Sequence, residues 1–197
     1  MDKSKIFIES GKILNLTMKY IKFIFSIRII WFLRALLYKI FFGKFGNFSY
    51  IGKPTFILNP KKIFIGNKVR IFPNLRIEAH GPAKIIIEDN VSIGHNLHIS
   101  AYSDLTVGSG TTIAGNVLIM SLIHDVIKKD VAYMDQPLRG KETKIGKNNL
   151  VGSNVCIMAG VQIGDQCIVA SNSVVTKSFD SYSVIAGNPA KVIKTLF

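Results

Sequence analysis

IGKNNLVGSNVCIMAGVQIGDQCIVASNSVV, residues 145–175, is the stretch whose reading decides the fold. An aliphatic side chain returns at every sixth position: Ile145, Val151, Ile157, Ile163, Val169 and Val175. A small residue often follows (Gly146, Gly152, Gly164, Ala170), and another compact one comes four places on (Val155, Val161, Cys167, Ser173). An α-helix has a period of 3.6 and an alternating strand a period of 2, so neither explains this spacing alone. A period of six fits a prism of short strands, with one hexad per face and three faces per coil. Stacked coils bury a column of aliphatic side chains and pair their backbones along the axis, about 4.8 Å apart.

The same pattern extends towards the N-terminus. It appears as Val107, Ile113 and Ile119, as Ile87, Ile93 and Ile99, as Ile65, Ile71 and Ile77, and as Ile51, Ile57 and Ile63. Gly66-Asn67, Gly146-Lys147-Asn148 and Gly164-Asp165 suit the corners, where tight backbone angles are needed. The runs change phase between Ile63 and Ile65, between Ile77 and Ile87 (around Ala79–Lys84), and between Leu105 and Val107. The largest break separates Ile119 from Ile145. The resulting loop, about 121–143, is too long for a plain connection in a compact repeat and is expected to carry function.

These hexads resemble the hexapeptide-repeat acyltransferases, with the resemblance running from about Ile51 to the C-terminus. It implies an all-β fold, a left-handed parallel β-helix of hexapeptide coils over 51–197. An N-terminal helical extension over 1–50 and a long protruding loop complete the expected layout. Two C-terminal runs are specific to the family pattern. One is Val169-Ala170-Ser171-Asn172-Ser173-Val174-Val175-Thr176-Lys177, with Ser171 where relatives often carry Ala. The other is the closing Gly187-Asn188-Pro189-Ala190-Lys191-Val192-Ile193. The resemblance implies acetyl-CoA as co-substrate, with Ser153 and Ser171 along the pantetheine track. Thr176, Lys177, Lys191 and Lys194 would face the phosphates, where flexible ammonium groups suit several negative charges. It also implies a homotrimer with sites between neighbours; a closed three-fold ring satisfies the flat faces of a prism.

The loop opens with Val117-Leu118-Ile119-Met120-Ser121-Leu122-Ile123-His124-Asp125, similar to the site of sugar and xenobiotic acetyltransferases in the family. His124 is the expected general base. A thioester is already activated, so the acceptor needs only a base near neutral pH and stabilisation of the oxyanion. Asp104, or the adjacent Asp125, would orient the ring. His95, Asn96 and His98 share one hexad and are candidates for acceptor binding, with Asp125 beside them in that role. Zinc chemistry of the γ-class carbonic anhydrases, which share the fold, is disfavoured because no two histidines are five apart. No metal is expected, and no Walker or dinucleotide loop is present.

The 197 residues carry a net charge of +13, of which residues 1–50 hold nine Lys/Arg against two Asp/Glu. Leu16 to Phe42 is apolar and reads as helix, interrupted by Lys19, Lys22, Arg28, Arg34 and Lys39. Five cations argue against a spanning helix. Two readings stay open for residues 16–42: a cap on the exposed end of the prism, or peripheral contact with an anionic membrane surface. Nucleic acid ranks last, since no binding motif accompanies the charge. Cys156 and Cys167 form no CxxC pair and read as buried and reduced. The chain shows no cleavable signal, and a cytoplasmic setting is expected.

The expected activity is acetyl-CoA-dependent O-acetylation of a sugar hydroxyl in a bacterial surface polysaccharide or its precursor, free or lipid-linked. N-acetylation of an amino sugar or nucleotide sugar and a non-catalytic scaffold are the alternatives. A serine acetyltransferase is disfavoured, because the sequence does not show the long helical N-terminal domain of that group.

Overall fold

A computed structural model describes residues 17–19 and 27–197. Of the residues named above, Leu16 and Lys22 lie outside the described ones, as does most of the first half of the expected extension. The hexads form three parallel sheets that run the length of the molecule. One stacks Lys44–Phe45, Ile63–Ile65, Ile85–Ile87, Leu105–Val107, Thr143–Ile145 and Gln162–Ile163; we call it face A. Face B begins with Tyr50–Ile51 and ends on an antiparallel hairpin, Ser183–Gly187 with Ala190–Thr195. Face C stacks Phe56–Leu58, Arg76–Ala79, His98–Ala101, Leu118–Met120, Cys156–Ile157 and Val174–Val175.

Registry follows from the hexads. Ile65, Ile87, Val107, Ile145 and Ile163 pair in one inward column on face A. Ile57, Ile77, Ile99, Ile119, Ile157 and Val175 do so on face C. Ile57 is partly buried and the others are fully or almost fully buried. The compact residues four places on (Val69, Val91, Thr111, Val117, Val155, Val161, Cys167 and Ser173) also point inward and are buried. They fill the corners of the triangle, where a long side chain would overpack.

Every phase break in the sequence falls on one edge of the prism. From face A to B to C the step is always six, as in Ile65, Ile71 and Ile77, or Ile145, Val151 and Ile157. From face C back to A the column-to-column steps are Ile57 to Ile65, Ile77 to Ile87, Ile99 to Val107, Ile119 to Ile145 and Ile157 to Ile163. Only the last is six. Ile63 is therefore not a hexad position in its own right: it shares a strand with Ile65, and both face inward.

Corners need the left-handed backbone, and Asn is the residue that supplies it most often. Asn59, Asn74, Asn90, Asn96, Asn116, Asn148, Asn154 and Asn172 all have positive φ. The expected corners differ by one residue in two cases. At Gly66-Asn67 the left-handed residue is Lys68, and at Gly164-Asp165 it is Gln166. A polar side chain near the corner stitches coils together instead: Asp165 Oδ1 accepts from Lys147 N–H at 2.7 Å, and Asp89 Oδ1 from Asn67 N–H at 2.7 Å. Glycine serves close approach, since a Cβ on Gly108 would lie 2.5 Å from the carbonyl oxygen of Gly146.

Residues 17–19 and 27–38 are helical. The helix ends at 38 rather than at Phe42, and turns through 39–43 before Gly43 N–H meets the Pro60 carbonyl. It lies on the first coils through one stripe. Trp31 packs on Tyr50 and Phe72, Ala35 and Phe42 are buried, and Phe42 meets Phe45 edge-on. Arg34 donates to the Ile51 carbonyl at 3.1 Å. The cap reading thus describes this side of the helix. Among the described residues no helix is long and apolar enough to cross a membrane.

Candidate active site

The irregular edge carries the arm that sequence reading singled out. The chain leaves face C at Ser121, and Leu122–His124 pairs antiparallel with Leu138–Gly140, His124 opposite Leu138. The exit would strand backbone groups, and two hydroxyls close it. Ser121 is fully buried and donates to the Ser103 carbonyl, while Thr143 donates to the Met120 carbonyl at 2.7 Å. Gly160 N–H in turn donates to Thr143 Oγ1 at 3.0 Å. Thr143 stands in an inward column otherwise filled by Ile63, Ile85 and Leu105. Its hydroxyl is there because the departing strand leaves a carbonyl to satisfy.

Beyond the hairpin the arm is organised by Gln136, which is buried. Its Oε1 accepts from Ile127 and Lys128 N–H, and its Nε2 donates to the Lys128 and Val131 carbonyls. A polar loop residue that could have met the acceptor therefore ties the loop to itself. The arm's outer surface is mixed: Val126, Ile127, Tyr133 and Met134 are exposed, beside the exposed Lys128, Lys129, Asp130 and Asp135.

His124 is half-buried, and its Nδ1 is fully buried without a hydrogen-bond partner among the described residues. Neither expected carboxylate meets that nitrogen. Asp104 is exposed and accepts from Lys84 N–H at 2.8 Å, a corner role like that of Asp165. Asp125 forms an ion pair with Arg139 at 2.6 Å.

Face C lies between two edges that hold the other candidates. On its edge with face A stand His124 and, in the last full coil, the exposed Thr176 and Lys177. Lys177 Nζ lies 5.6 Å from the centre of the Phe179 ring. On its edge with face B stand His95, Asn96, Ser153 and Ser171. Ser171 Oγ accepts from Ser153 N–H at 3.2 Å. Asn96 belongs to a ladder, accepting from Asn74 and donating to Asn116. His95 lies with its ring against Gly115, where a Cβ would come within 2.7 Å of the ring. Lys191 and Lys194 are exposed on the terminal hairpin.

His98 lies on face C itself, in register with Arg76 on one side and Leu118 on the other. Its Nε2 is buried without a partner among the described residues. Burial, and then the Arg76 charge, push its pKa below the usual 6.5 although Glu78 opposes them, so the ring is neutral at neutral pH.

Sequence reading missed the cluster beneath. Glu78 is buried on the outer side of face C, and binds His80 Nε2 at 3.0 Å, Ser100 Oγ at 3.2 Å and the Arg76 guanidinium. Burial works against its charge, but hydrogen bonds from His80 and Arg76, the Arg76 charge and Ser100 hold its carboxyl below the ordinary value. Ser100 follows Glu78 by 22 residues, so no fixed period points from one to the other. Cys167 is buried as expected, whereas Cys156 is half-buried and outward on face C. Among the described residues no group of three His, Cys, Asp or Glu converges on one point.

A parallel solenoid of hexads with one histidine-bearing arm defines a hexapeptide-repeat transferase. The family model described as bacterial transferase hexapeptide (six repeats) matches residues 142–177. The chain belongs to the hexapeptide-repeat acyltransferase family. It is 33% identical over 156 residues, 75% of this chain and 79% of the relative, to WbbJ of Escherichia coli (strain K12), assigned as a lipopolysaccharide biosynthesis O-acetyl transferase. In fold it is similar to AntD, an N-acyltransferase from Bacillus cereus seen with dTDP-4-amino-4,6-dideoxyglucose and Coenzyme A. That likeness has a TM-score of 0.72 at 23% identity, over 82% of this chain and 88% of AntD. It is similar again to a galactoside acetyltransferase in complex with Coenzyme A, with a TM-score of 0.56 at 24% identity over 83% and 70% of the two chains.

Proposed function

We propose that this protein transfers an acetyl group from acetyl-CoA to a sugar hydroxyl of a bacterial surface polysaccharide or its lipid-linked precursor. The observation that carries the proposal is His124, at the neck of the arm, on the edge of face C that Thr176 and Lys177 share. His124 takes the hydroxyl proton as the oxygen attacks the thioester carbonyl, and the thiolate leaves as the tetrahedral oxyanion collapses. An imidazole can act as general base, and the thioester is already activated, so no nucleophile on the protein is needed. Ser153 and Ser171 line the pantetheine path. Thr176, Lys177, Lys191 and Lys194 face its phosphates; none of the three lysines is in an ion pair among the described residues. His95, Asn96, His98 and Asp125 contact the acceptor. Asp104 supports the edge through Lys84.

The working form we propose is a homotrimer. The exposed apolar residues of the arm (Val126, Ile127, Tyr133, Met134), which stand beside the exposed Lys128, Lys129 and Asp130, meet a neighbour's surface, and the neighbour closes the cleft beside His124. The setting is the cytoplasm, peripheral to the inner face of the membrane. The division into an extension over 1–50 and a catalytic solenoid over 51–197 is part of the same proposal.

The likeness to AntD favours one alternative, N-acylation of an amino sugar. Thiol release from acetyl-CoA with a panel of sugars, amino sugars and lipid-linked oligosaccharides separates the two by the acceptor that turns over. His124→Ala is expected to lower turnover by about 10²–10⁴ with CoA affinity little changed. Near-normal turnover in the variant would remove His124 from the mechanism. Absence of both turnover and CoA binding would leave a scaffold.

A further inference from the structure

The helix over 27–38 is apolar on most sides, yet it buries only one stripe. Trp31, Ala35, Tyr38 and Phe42, spaced by three or four, face the solenoid. Ile29, Ile30, Phe32, Leu33, Leu36 and Leu37 remain exposed, and the turn adds Ile40, 77% exposed, and Phe41. A helix with apolar residues on every side is ordinarily buried on every side. A contiguous apolar patch on a surface marks a partner.

Charge identifies that partner. From Ser10 to Ile77 the sequence contains no Asp or Glu, while thirteen Lys and Arg fall in the same span. The helix and the first two coils form one end of the described molecule, and every formal side-chain charge on that stretch of chain up to Ile77 is positive. Lys39, Lys44, Lys53 and Lys61 are exposed, the first two close to the patch along the chain and the other two on the first coil and the turn that follows it. A second copy would bring the same uncompensated charge to the contact and be repelled. An anionic lipid surface offers both complements, hydrocarbon at the headgroup boundary for Leu37, Ile40 and Phe41 and negative headgroups for the lysines.

We infer that the outward side of residues 29–41 is a docking surface for an anionic bilayer, with the solenoid standing on it by its first coil. This inference is independent of the transfer chemistry; only its consequence for acceptor access rests on the proposed function. Three strand spacings, about 15 Å, separate the first coil from the coil that sends out His124. That height suits a saccharide attached to a lipid in the same bilayer.

The test is co-flotation of the full chain with phosphatidylcholine vesicles, with and without phosphatidylglycerol. The triple variant Leu37→Ser, Ile40→Ser, Phe41→Ser and the charge variant Lys53→Glu, Lys61→Glu are run beside the wild type. Wild type is expected to float only with the anionic vesicles, and each variant to lose about tenfold or more in partitioning. Thermal unfolding and thiol release with a soluble acceptor should stay unchanged, because none of these residues lies in the cleft. Failure to float with anionic vesicles overturns the inference. So does a triple variant that floats normally but changes oligomeric state, since the patch would then join copies of the chain. Flotation without transferase activity would overturn the proposed reaction and leave the docking surface standing.

Discussion

Asp125 and Arg139 meet at 2.6 Å across the two strands of the arm, one residue beyond His124. The contact holds the neck of the hairpin at the point where the candidate base projects. His124 itself makes no hydrogen bond through Nδ1 among the described residues. The backbone on either side of it is held by the pairing with Leu138 and by this ion pair.

Arg139→Ala is expected to reduce turnover more than stability. Arg139 is half exposed, and such pairs are worth about 0–1 kcal/mol. Misplacing a catalytic group by a fraction of an ångström to an ångström costs on the order of tenfold to a hundredfold in rate. Unfolding midpoint and kcat measured on the same preparation separate the two; unchanged kcat would show that the strands alone position His124.

Thr143→Val keeps the volume of a buried side chain and removes one hydroxyl. The Met120 carbonyl and the Gly160 N–H both lose their partner. A destabilisation of about 1–3 kcal/mol is expected from urea unfolding. A change within a few tenths would mean that water or a backbone shift replaces the hydroxyl.

Glu78 makes the fold acid-sensitive. Its carboxyl is held below the usual value of 4.5 in the folded chain. A depressed carboxylate contributes stability that is complete above the unfolded value and is lost as pH falls through the folded one. Wild type should thus lose stability below about pH 4.5 more steeply than Glu78→Gln, with His80 and Arg76 losing their shared partner. Parallel pH profiles for the two proteins in urea titrations would refute this role for Glu78.

The two thiols should react in order. Cys167 is buried, burial raises its pKa, and its Sγ lies 3.2 Å from the Asp180 carbonyl oxygen. Cys156 is half-buried on the outer side of face C. Iodoacetamide is expected to modify Cys156 first and Cys167 only on unfolding. Mass spectrometry of partly labelled protein decides, and label on Cys167 in the native protein would show that the last coils open.

Much of the candidate site could be placed from sequence because its residues stand at fixed distances from hexads. His124 follows Ile119 by five, and Ser153 follows Val151 by two, so each coil position carries its own address. Glu78 has an address as well, one place after Ile77, as Ser100 has after Ile99, but an address names no partner. Its partners Ser100 and His80 come from the next coil and from the corner, and only the stacked coils bring them to it. The roles expected of Asp104 and Asn96 rested on coil position alone. Position does not say that Asp104 accepts from the Lys84 backbone or that Asn96 joins a ladder.

Local periodicity determined the prism, its inward columns and the place where the arm leaves, because burying an aliphatic at every sixth residue leaves the backbone few other solutions. Tertiary structure alone decided three things. It gathered every irregular step onto one edge, it left two histidine nitrogens buried without partners among the described residues, and it turned one side of an apolar helix outward on the basic end. Each depends on which coil lies above which and on what covers a face. Those are contacts between residues far apart in the chain, often twenty or so positions, and no local spacing records them.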